Sequence, residues 1–219
     1  MTGLFDFIES MPEGVPQLFA FPNNGVVFDR LSKDTYERLC DAIETAKNNA
    51  PMNGRLVGHL KDEVEFPEGK EILKDTIISM AEAHAGYFNH FKNHAILTKS
   101  GKMVIDPLWI NFQSKHEFNP PHGHEGIYSF VVWVKVPYDL NAELEVFADA
   151  KHKMTSMFGF VTSDILGRSH INPIPVDKSY EGVVCLFPSS LLHYVNPFFT
   201  SDRQRISVSG NILLDVSDE

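Results

Sequence analysis

The stretch IYSFVVWVKV, residues 127–136, carries the clearest strand signal in the chain, because it is almost entirely β-branched and aromatic. After Met103 further short runs of this kind alternate with Pro, Gly and Asn. They cover residues 103–112, 144–147, 157–161, 182–187, 191–195 and 205–214. Such a series of short strands predicts a β-sandwich or barrel.

The first hundred residues predict a mixed region that supports this β-rich part. Ser32 suits the N-cap of a first helix, which continues to the break at residues 48–51, and a second helix is predicted from about Glu68 to about His94. Residues 54–60 are interpreted as a strand, and residues 18–21 and 26–28 as a hairpin around Asn23-Asn24-Gly25. We therefore expect a single domain over 1–219, with 1–100 supporting a β core at 101–216.

Composition narrows the functional classes. The formal net charge of −10 disfavours partners such as nucleic acid or an anionic membrane surface. The two cysteines, Cys40 and Cys185, lie in apolar stretches and are interpreted as free thiols in a reducing compartment. No stretch has the features of a secretory leader or a membrane span, so we expect a soluble, cytoplasmic protein.

Two histidines stand close together in the segment Asn119-Pro-Pro-His-Gly-His-Glu-Gly126. Residues two apart on an extended strand point to the same side, so His122 and His124 can bind one metal ion from one face. A polar loop with two solvated histidines is the alternative from this segment alone.

A third histidine, His193, interrupts an otherwise apolar strand within the run 186–197. A buried imidazole is costly unless it finds a hydrogen bond or a metal, so a binding role is favoured.

The run Arg203 to Asn211 alternates in polarity. Arg205, Ser207, Ser209 and Asn211 share one face, and Ile206, Val208 and Ile212 share the other. If the polar face is directed into the barrel, a buried guanidinium requires an anion, ideally a carboxylate bound through two hydrogen bonds. The alternative is a structural salt bridge to an internal Asp or Glu.

In this order, the His-x-His segment, His193 and Arg205 resemble the site of the iron(II)/2-oxoglutarate-dependent oxygenases, in particular prolyl-hydroxylase-like bacterial and phage members of unassigned substrate. The resemblance spans roughly residues 103–211 and implies a mainly β protein with flanking helices, folded as a double-stranded β-helix (a cupin-like jelly roll). It also implies that His122 and His193 bind Fe(II), and that Arg205 binds the distal carboxylate of 2-oxoglutarate. Arg203 is the second candidate for that role.

Position 124 departs from the family pattern, because His stands where an Asp is usual. His124 can be the third ligand itself, Glu125 can replace it, or a water can take the position. Strand alternation favours His124, since Glu125 points to the opposite side unless the chain bulges.

The resemblance implies oxidative decarboxylation of 2-oxoglutarate coupled to hydroxylation of a small-molecule or peptide substrate, with ascorbate as a stimulant. Asn111 and Ser207 are predicted to bond the cosubstrate, and no catalytic residue is predicted beyond the metal site. Candidate pocket residues are Trp109, Tyr128, Phe130 and Trp133, with His116 and Glu117 at the rim. The alternatives are a cupin-type metalloenzyme and a non-catalytic binding protein, and a homodimer is compatible with either.

Overall fold

A computed structural model of the chain describes residues 23–88 and 101–216, in which helices, strands and two antiparallel sheets are resolved. The strands are β1 (Val27–Arg30), β2 (Glu63–Glu65), β3 (Lys102–Gln113), β4 (Asn119–His122), β5 (Tyr128–Lys135), β6 (Phe158–Ser163), β7 (Ser169–Ile174), β8 (Val183–Pro188), β9 (His193–Val195) and β10 (Arg205–Asp215). The helices are α1 (Lys33–Ala46), α2 (Gly69–Phe88), α3 (Leu140–Glu145) and a short 3₁₀ helix (Lys178–Tyr180).

The strands form a six-stranded sheet of order β1-β8-β5-β10-β3-β2 and a four-stranded sheet of order β4-β9-β6-β7. Every strand pair is antiparallel. This arrangement confirms the predicted series of short strands.

Helices α1 and α2 cover the outer face of the larger sheet. Leu39 and Ile43 of α1 and Leu73 of α2 are buried in one cluster with Ile110 and Val208 of the sheet. The Ser32 hydroxyl accepts a hydrogen bond from the amide of Thr35 at 3.1 Å, which confirms Ser32 as the N-cap of α1. None of the described helices is long and apolar enough to cross a membrane.

A second apolar cluster lies between the two sheets. It joins Val131, Trp133 and Phe187 of the larger sheet to Phe158 and Phe160 of the smaller one. The described protein thus has three layers: helices, a six-stranded sheet and a four-stranded sheet.

Two sequence predictions are wrong. Residues 144–147 were expected to be a strand, but helix α3 covers Leu140–Glu145, because Asp139 caps its first turn by accepting the amide of Ala142 at 3.0 Å. Residues 54–60 contain no strand and form only an isolated bridge, His59 to Phe118. Its backbone makes no continuous ladder with a neighbour.

The predicted N-terminal hairpin and the predicted end of the second helix lie partly outside the described residues. The first half of the expected hairpin, residues 18–21, lies outside the described residues. The second half, residues 26–28, overlaps β1, which pairs with β8. Helix α2 begins as predicted, and the expected continuation over residues 89–94 also lies outside the described part.

The connection between β9 and β10 is held by a buried carboxylate. Glu143 of α3 is fully buried, and its oxygens accept the amides of Phe199, at 2.9 Å, and Thr200, at 2.7 Å. The Thr200 hydroxyl also donates to Glu143. Charge-assisted hydrogen bonds of this kind fix the loop that leads into Arg205.

We expect Glu143→Ala to lower the free energy of unfolding by about 3 kcal/mol, because it removes the acceptor of the Phe199 and Thr200 amides and empties a fully buried side-chain position. Urea unfolding measures the change. Glu145→Ala removes the same side chain two residues away, where Glu145 forms only an exposed ion pair with Lys153 at 3.2 Å, and a change within about 0.5 kcal/mol is expected there. Equal losses in both variants would contradict the role of Glu143.

A second buried carboxylate, Glu63 of β2, lies near the start of β4. It is 1 % exposed, and burial, with a smaller contribution from the charge of Glu117, raises its pKa to about 7. Glu63 is therefore protonated in the folded protein at a pH at which it is ionised in the unfolded chain.

This difference gives stability a pH dependence with a defined sign. The favourable contribution of Glu63 is complete below its ordinary pKa of 4.5 and is lost as the pH rises to about 7. We expect Glu63→Gln to match the wild-type stability near pH 4.5 and to exceed it by up to about 3 kcal/mol near pH 8. Thermal and urea unfolding of both proteins across this pH range provide the measurement, and a constant difference would contradict it.

Candidate metal centre and cosubstrate pocket

Strand pairing brings His122 and His193 together. They are direct partners in the antiparallel register of β4 and β9, so their side chains leave the sheet on the same side. His124 follows two residues later, where its amide donates to the carbonyl of Ser189 at 2.8 Å. His124 lies beyond the end of β4, so this hydrogen bond, and not strand alternation, holds the third imidazole beside the other two.

The three imidazoles converge. One nitrogen from each of His122, His124 and His193 can be chosen so that all lie within 4.8 Å of one another. The ring centroids of His122 and His193 are 4.3 Å apart, and those of His122 and His124 are 4.8 Å apart. The convergence predicted from the sequence is therefore present.

Backbone carbonyls set the tautomers of two of these rings. Nδ1 of His122 lies 2.7 Å from the carbonyl of Pro120, and Nδ1 of His193 lies 3.1 Å from that of Leu191. A carbonyl only accepts, so each Nδ1 carries the proton and each Nε2 keeps a lone pair for a metal.

The electrostatic environment keeps the rings neutral. Burial, and then the neighbouring histidines, lowers the pKa of His193 to about 3, and burial together with His122 lowers that of His124 to about 4. Burial also lowers the pKa of His122. Neutral imidazole is the form that binds Fe(II), Zn(II) and similar ions, so the donor set fits a transition metal.

Glu125 is not part of this cluster. Within the described residues the converging group consists of the three histidines, and Glu125 is exposed. The geometry supports His124 over Glu125 as the third ligand.

Arg205 is buried at the start of β10, 3 % exposed, and its donors meet four acceptors. Nε and Nη2 donate to Oε1 of Gln113, at 3.1 and 2.7 Å, and Nη2 also donates to the carbonyl of Asn196 at 3.0 Å. Nη1 donates to the hydroxyl of Tyr138 at 2.8 Å and to the carbonyl of Ser156 at 2.6 Å.

Each acceptor is neutral, and no carboxylate of the described residues forms an ion pair with Arg205. The internal salt bridge considered as an alternative is therefore not found in the described part of the chain. Arg203, the second candidate, is exposed.

Asn111 and Ser207 lie on the same inner face as Arg205. The amide of Asn111 donates to the hydroxyls of Ser207, at 3.2 Å, and Ser209, at 3.1 Å, and accepts from the indole of Trp109 at 3.1 Å. Both predicted cosubstrate contacts therefore bond each other in this structure.

A cavity of about 420 Å³ opens beside the histidines. Its lining includes His122, His124, Trp109, Asn211 and, from the segment that precedes β2, Met52, Arg55, Leu56 and Val57. Trp109 lines it as predicted, whereas Tyr128, Phe130 and Trp133 are buried in the two apolar clusters. His116 and Glu117 do not line it.

The sequence analysis missed two groups of residues. The segment 52–57 carries no motif, and its place on the cavity wall depends on contacts distant in the chain. Gln113 was also missed, because it becomes the partner of Arg205 only through the register of β3 with β10.

Comparison with known proteins agrees with this geometry. Residues 107–211 match the family described as "Putative 2OG-Fe(II) oxygenase". No curated protein matches the sequence.

Among solved structures, a prolyl-4-hydroxylase of Pseudomonas putida is similar at a TM-score of 0.55 and 14% identity, over 87% of this chain and 92% of that one. A 2OG-Fe(II) oxygenase family oxidoreductase from Burkholderia pseudomallei is similar at 0.50 and 15%, over 86% and 84%. The protein AviO1 of Streptomyces viridochromogenes is similar at 0.50 and 13%, over 90% and 92%. These likenesses show the fold, a double-stranded β-helix, as predicted.

We expect the wild-type protein to bind one equivalent of Fe(II), or of Co(II) as a spectroscopic substitute, and His193→Ala to weaken binding at least about 100-fold, because it removes a direct ligand. His170→Ala is the matched control, since His170 is exposed and pairs with Asp164 at 3.0 Å. Anaerobic titration of the Co(II) visible bands measures both.

The third ligand is tested by a second pair of variants. His124→Ala is expected to weaken metal binding as His193→Ala does. Glu125→Ala is expected to keep the metal affinity within about threefold of wild type. The reverse ranking would make Glu125 the ligand.

Proposed function

We propose that this chain, whose residues 107–211 match the family described as "Putative 2OG-Fe(II) oxygenase", hydroxylates a substrate with Fe(II), dioxygen and 2-oxoglutarate. The observation that carries the proposal is the convergence of three neutral imidazoles on one side of the inter-sheet space that also contains a buried, carboxylate-free guanidinium. The substrate is a small molecule or a peptide side chain.

When bound, iron and 2-oxoglutarate supply the oxidising chemistry: dioxygen adds one atom to succinate and one to the substrate, and carbon dioxide is released. His122, His124 and His193 would hold the metal. Arg205 would hold the distal carboxylate of 2-oxoglutarate, and Asn111 and Ser207, on the same face of the sheet, would assist.

The protein also orients the substrate and limits water. The cavity beside His122 and His124 has an apolar wall at Trp109, and the segment 52–57 covers its other side. A substrate bound in this cavity would lie next to the metal ligands, where positioning and exclusion of water favour one reaction path.

The second candidate is a non-catalytic binding protein that keeps the fold and the metal. The observation favouring it is His124, which removes the carboxylate usual in the triad and changes the charge at the metal. Succinate formation with Fe(II), ascorbate and 2-oxoglutarate separates the two, because only the oxygenase consumes the cosubstrate.

Anaerobic addition of Fe(II) and 2-oxoglutarate is expected to give a visible charge-transfer band. Arg205→Ala should weaken the binding of 2-oxoglutarate about 100-fold or more, because it removes the charge-assisted hydrogen bonds to the distal carboxylate. The Fe(II) affinity should stay unchanged, since Arg205 is not a metal ligand. Arg203→Ala is the control, since Arg203 is exposed. The affinity of this variant for 2-oxoglutarate should stay within about threefold of wild type.

Two results would contradict the proposal. One is a folded, iron-loaded wild-type protein that gives no band with 2-oxoglutarate. The other is an Arg203→Ala variant that loses the cosubstrate while Arg205→Ala keeps it.

A further inference from the structure

The guanidinium of Arg205 has two edges at which a carboxylate can form a pair of hydrogen bonds, one between Nη1 and Nη2 and one between Nε and Nη2. The first edge is held by main-chain carbonyls: Nη1 donates to Ser156 and Nη2 donates to Asn196. Those acceptors cannot leave without moving the backbone.

The second edge is held by one side chain. Oε1 of Gln113 accepts from both Nε and Nη2 of Arg205, at 3.1 and 2.7 Å. Gln113 is the direct register partner of Arg205 in the β3–β10 ladder, so the two side chains lie on the same inner face. Its amide oxygen occupies the edge that a carboxylate would bind with two oxygens.

We propose that Gln113 is a displaceable placeholder: its amide oxygen holds the Nε–Nη2 edge of Arg205 in the cosubstrate-free protein and yields it to the distal carboxylate of a 2-oxo diacid. This inference rests on the proposed function and deepens it. Gln113 is thereby a specificity-determining residue for a dicarboxylic cosubstrate.

The exchange is favourable because of charge. Arg205 is buried and meets only neutral acceptors, whereas a carboxylate forms shorter and roughly twofold stronger hydrogen bonds with a guanidinium. Arg205 gives up one neutral acceptor, the Gln113 oxygen. The Gln113 amide nitrogen donates to the carbonyl of Glu117 at 2.5 Å, in the turn that follows β3, so the exchange turns the amide oxygen away from Arg205 while this nitrogen stays in place.

The distance is also suitable. Asn196, whose carbonyl accepts from Arg205, lies three residues after His193, and a strand advances about 3.3 Å per residue, so roughly 10 Å separates their backbones. A diacid held at the metal ligands would therefore extend along this short stretch of chain towards the guanidinium.

The identity of the residue is decisive. A glutamate at position 113 would place a permanent carboxylate on the same edge, neutralise Arg205 and exclude an incoming anion. An amide of the same size holds the edge without that charge.

The test compares Gln113→Glu with wild type in anaerobic Fe(II)-loaded protein. We expect Gln113→Glu to weaken 2-oxoglutarate binding about 100-fold or more and to leave Fe(II) affinity unchanged, because a permanent carboxylate then occupies the Nε–Nη2 edge of Arg205. The monocarboxylic 2-oxopentanoate lacks the distal carboxylate, so its affinity should be the same in both proteins.

Gln204→Glu is the matched control. It makes the same change one residue from Arg205, but the Gln204 amide faces Asp62 and the carbonyl of Phe112. The affinity of Gln204→Glu for 2-oxoglutarate should stay within about threefold of wild type. Gln113→Ala frees the edge and should keep or tighten 2-oxoglutarate binding.

Wild-type affinity for 2-oxoglutarate in a folded Gln113→Glu protein would overturn the inference. A loss of tenfold or more in Gln113→Ala would also overturn it, because Gln113 would then be a permanent partner of the cosubstrate. If wild type binds iron but not 2-oxoglutarate, the proposed function fails instead, whatever the variants do.

Discussion

The antiparallel pairing of β4 with β9 is the constraint on which the rest of the site depends. It makes His122 and His193 direct partners although the chain separates them by about seventy residues. Two residues after His122, a hydrogen bond from the His124 amide to the Ser189 carbonyl holds a third imidazole beside the other two. Because a shift of register by one residue would send a side chain to the opposite face, the cluster exists only in this pairing.

The space between the sheets is divided by polarity. Phe158, Phe160 and Phe187 fill one part with aromatic side chains, and β3 and β10 line the other part with Asn111, Ser207 and Arg205. The aromatic part excludes water and lowers the pKa of His193 by desolvation. The polar part keeps a guanidinium solvated by protein acceptors, which allows a buried positive charge to persist without an internal carboxylate.

Sequence reasoning succeeded where a strand alternates. The polar face of residues 205–211 and the apolar face of 206–212 lie as expected, because side-chain direction in a strand is a local property. It failed at residues 144–147, where a capping aspartate favours a helix. It also missed β7, whose residues are almost all exposed and show no apolar run. It could not identify Gln113 or the cavity wall at 52–57, since both depend on which distant strands and loops become neighbours.

The neutral ligand set changes the charge balance of the proposed complex. Three imidazoles leave the two positive charges of Fe(II) uncompensated by protein, whereas a carboxylate ligand would cancel one of them. Arg205 adds a further positive charge in the same inter-sheet space. A dianionic cosubstrate then supplies the negative charge that the site lacks at both ends. The replacement at position 124 and the absence of a carboxylate at Arg205 among the described residues therefore favour the same ligand, a diacid that bridges metal and guanidinium.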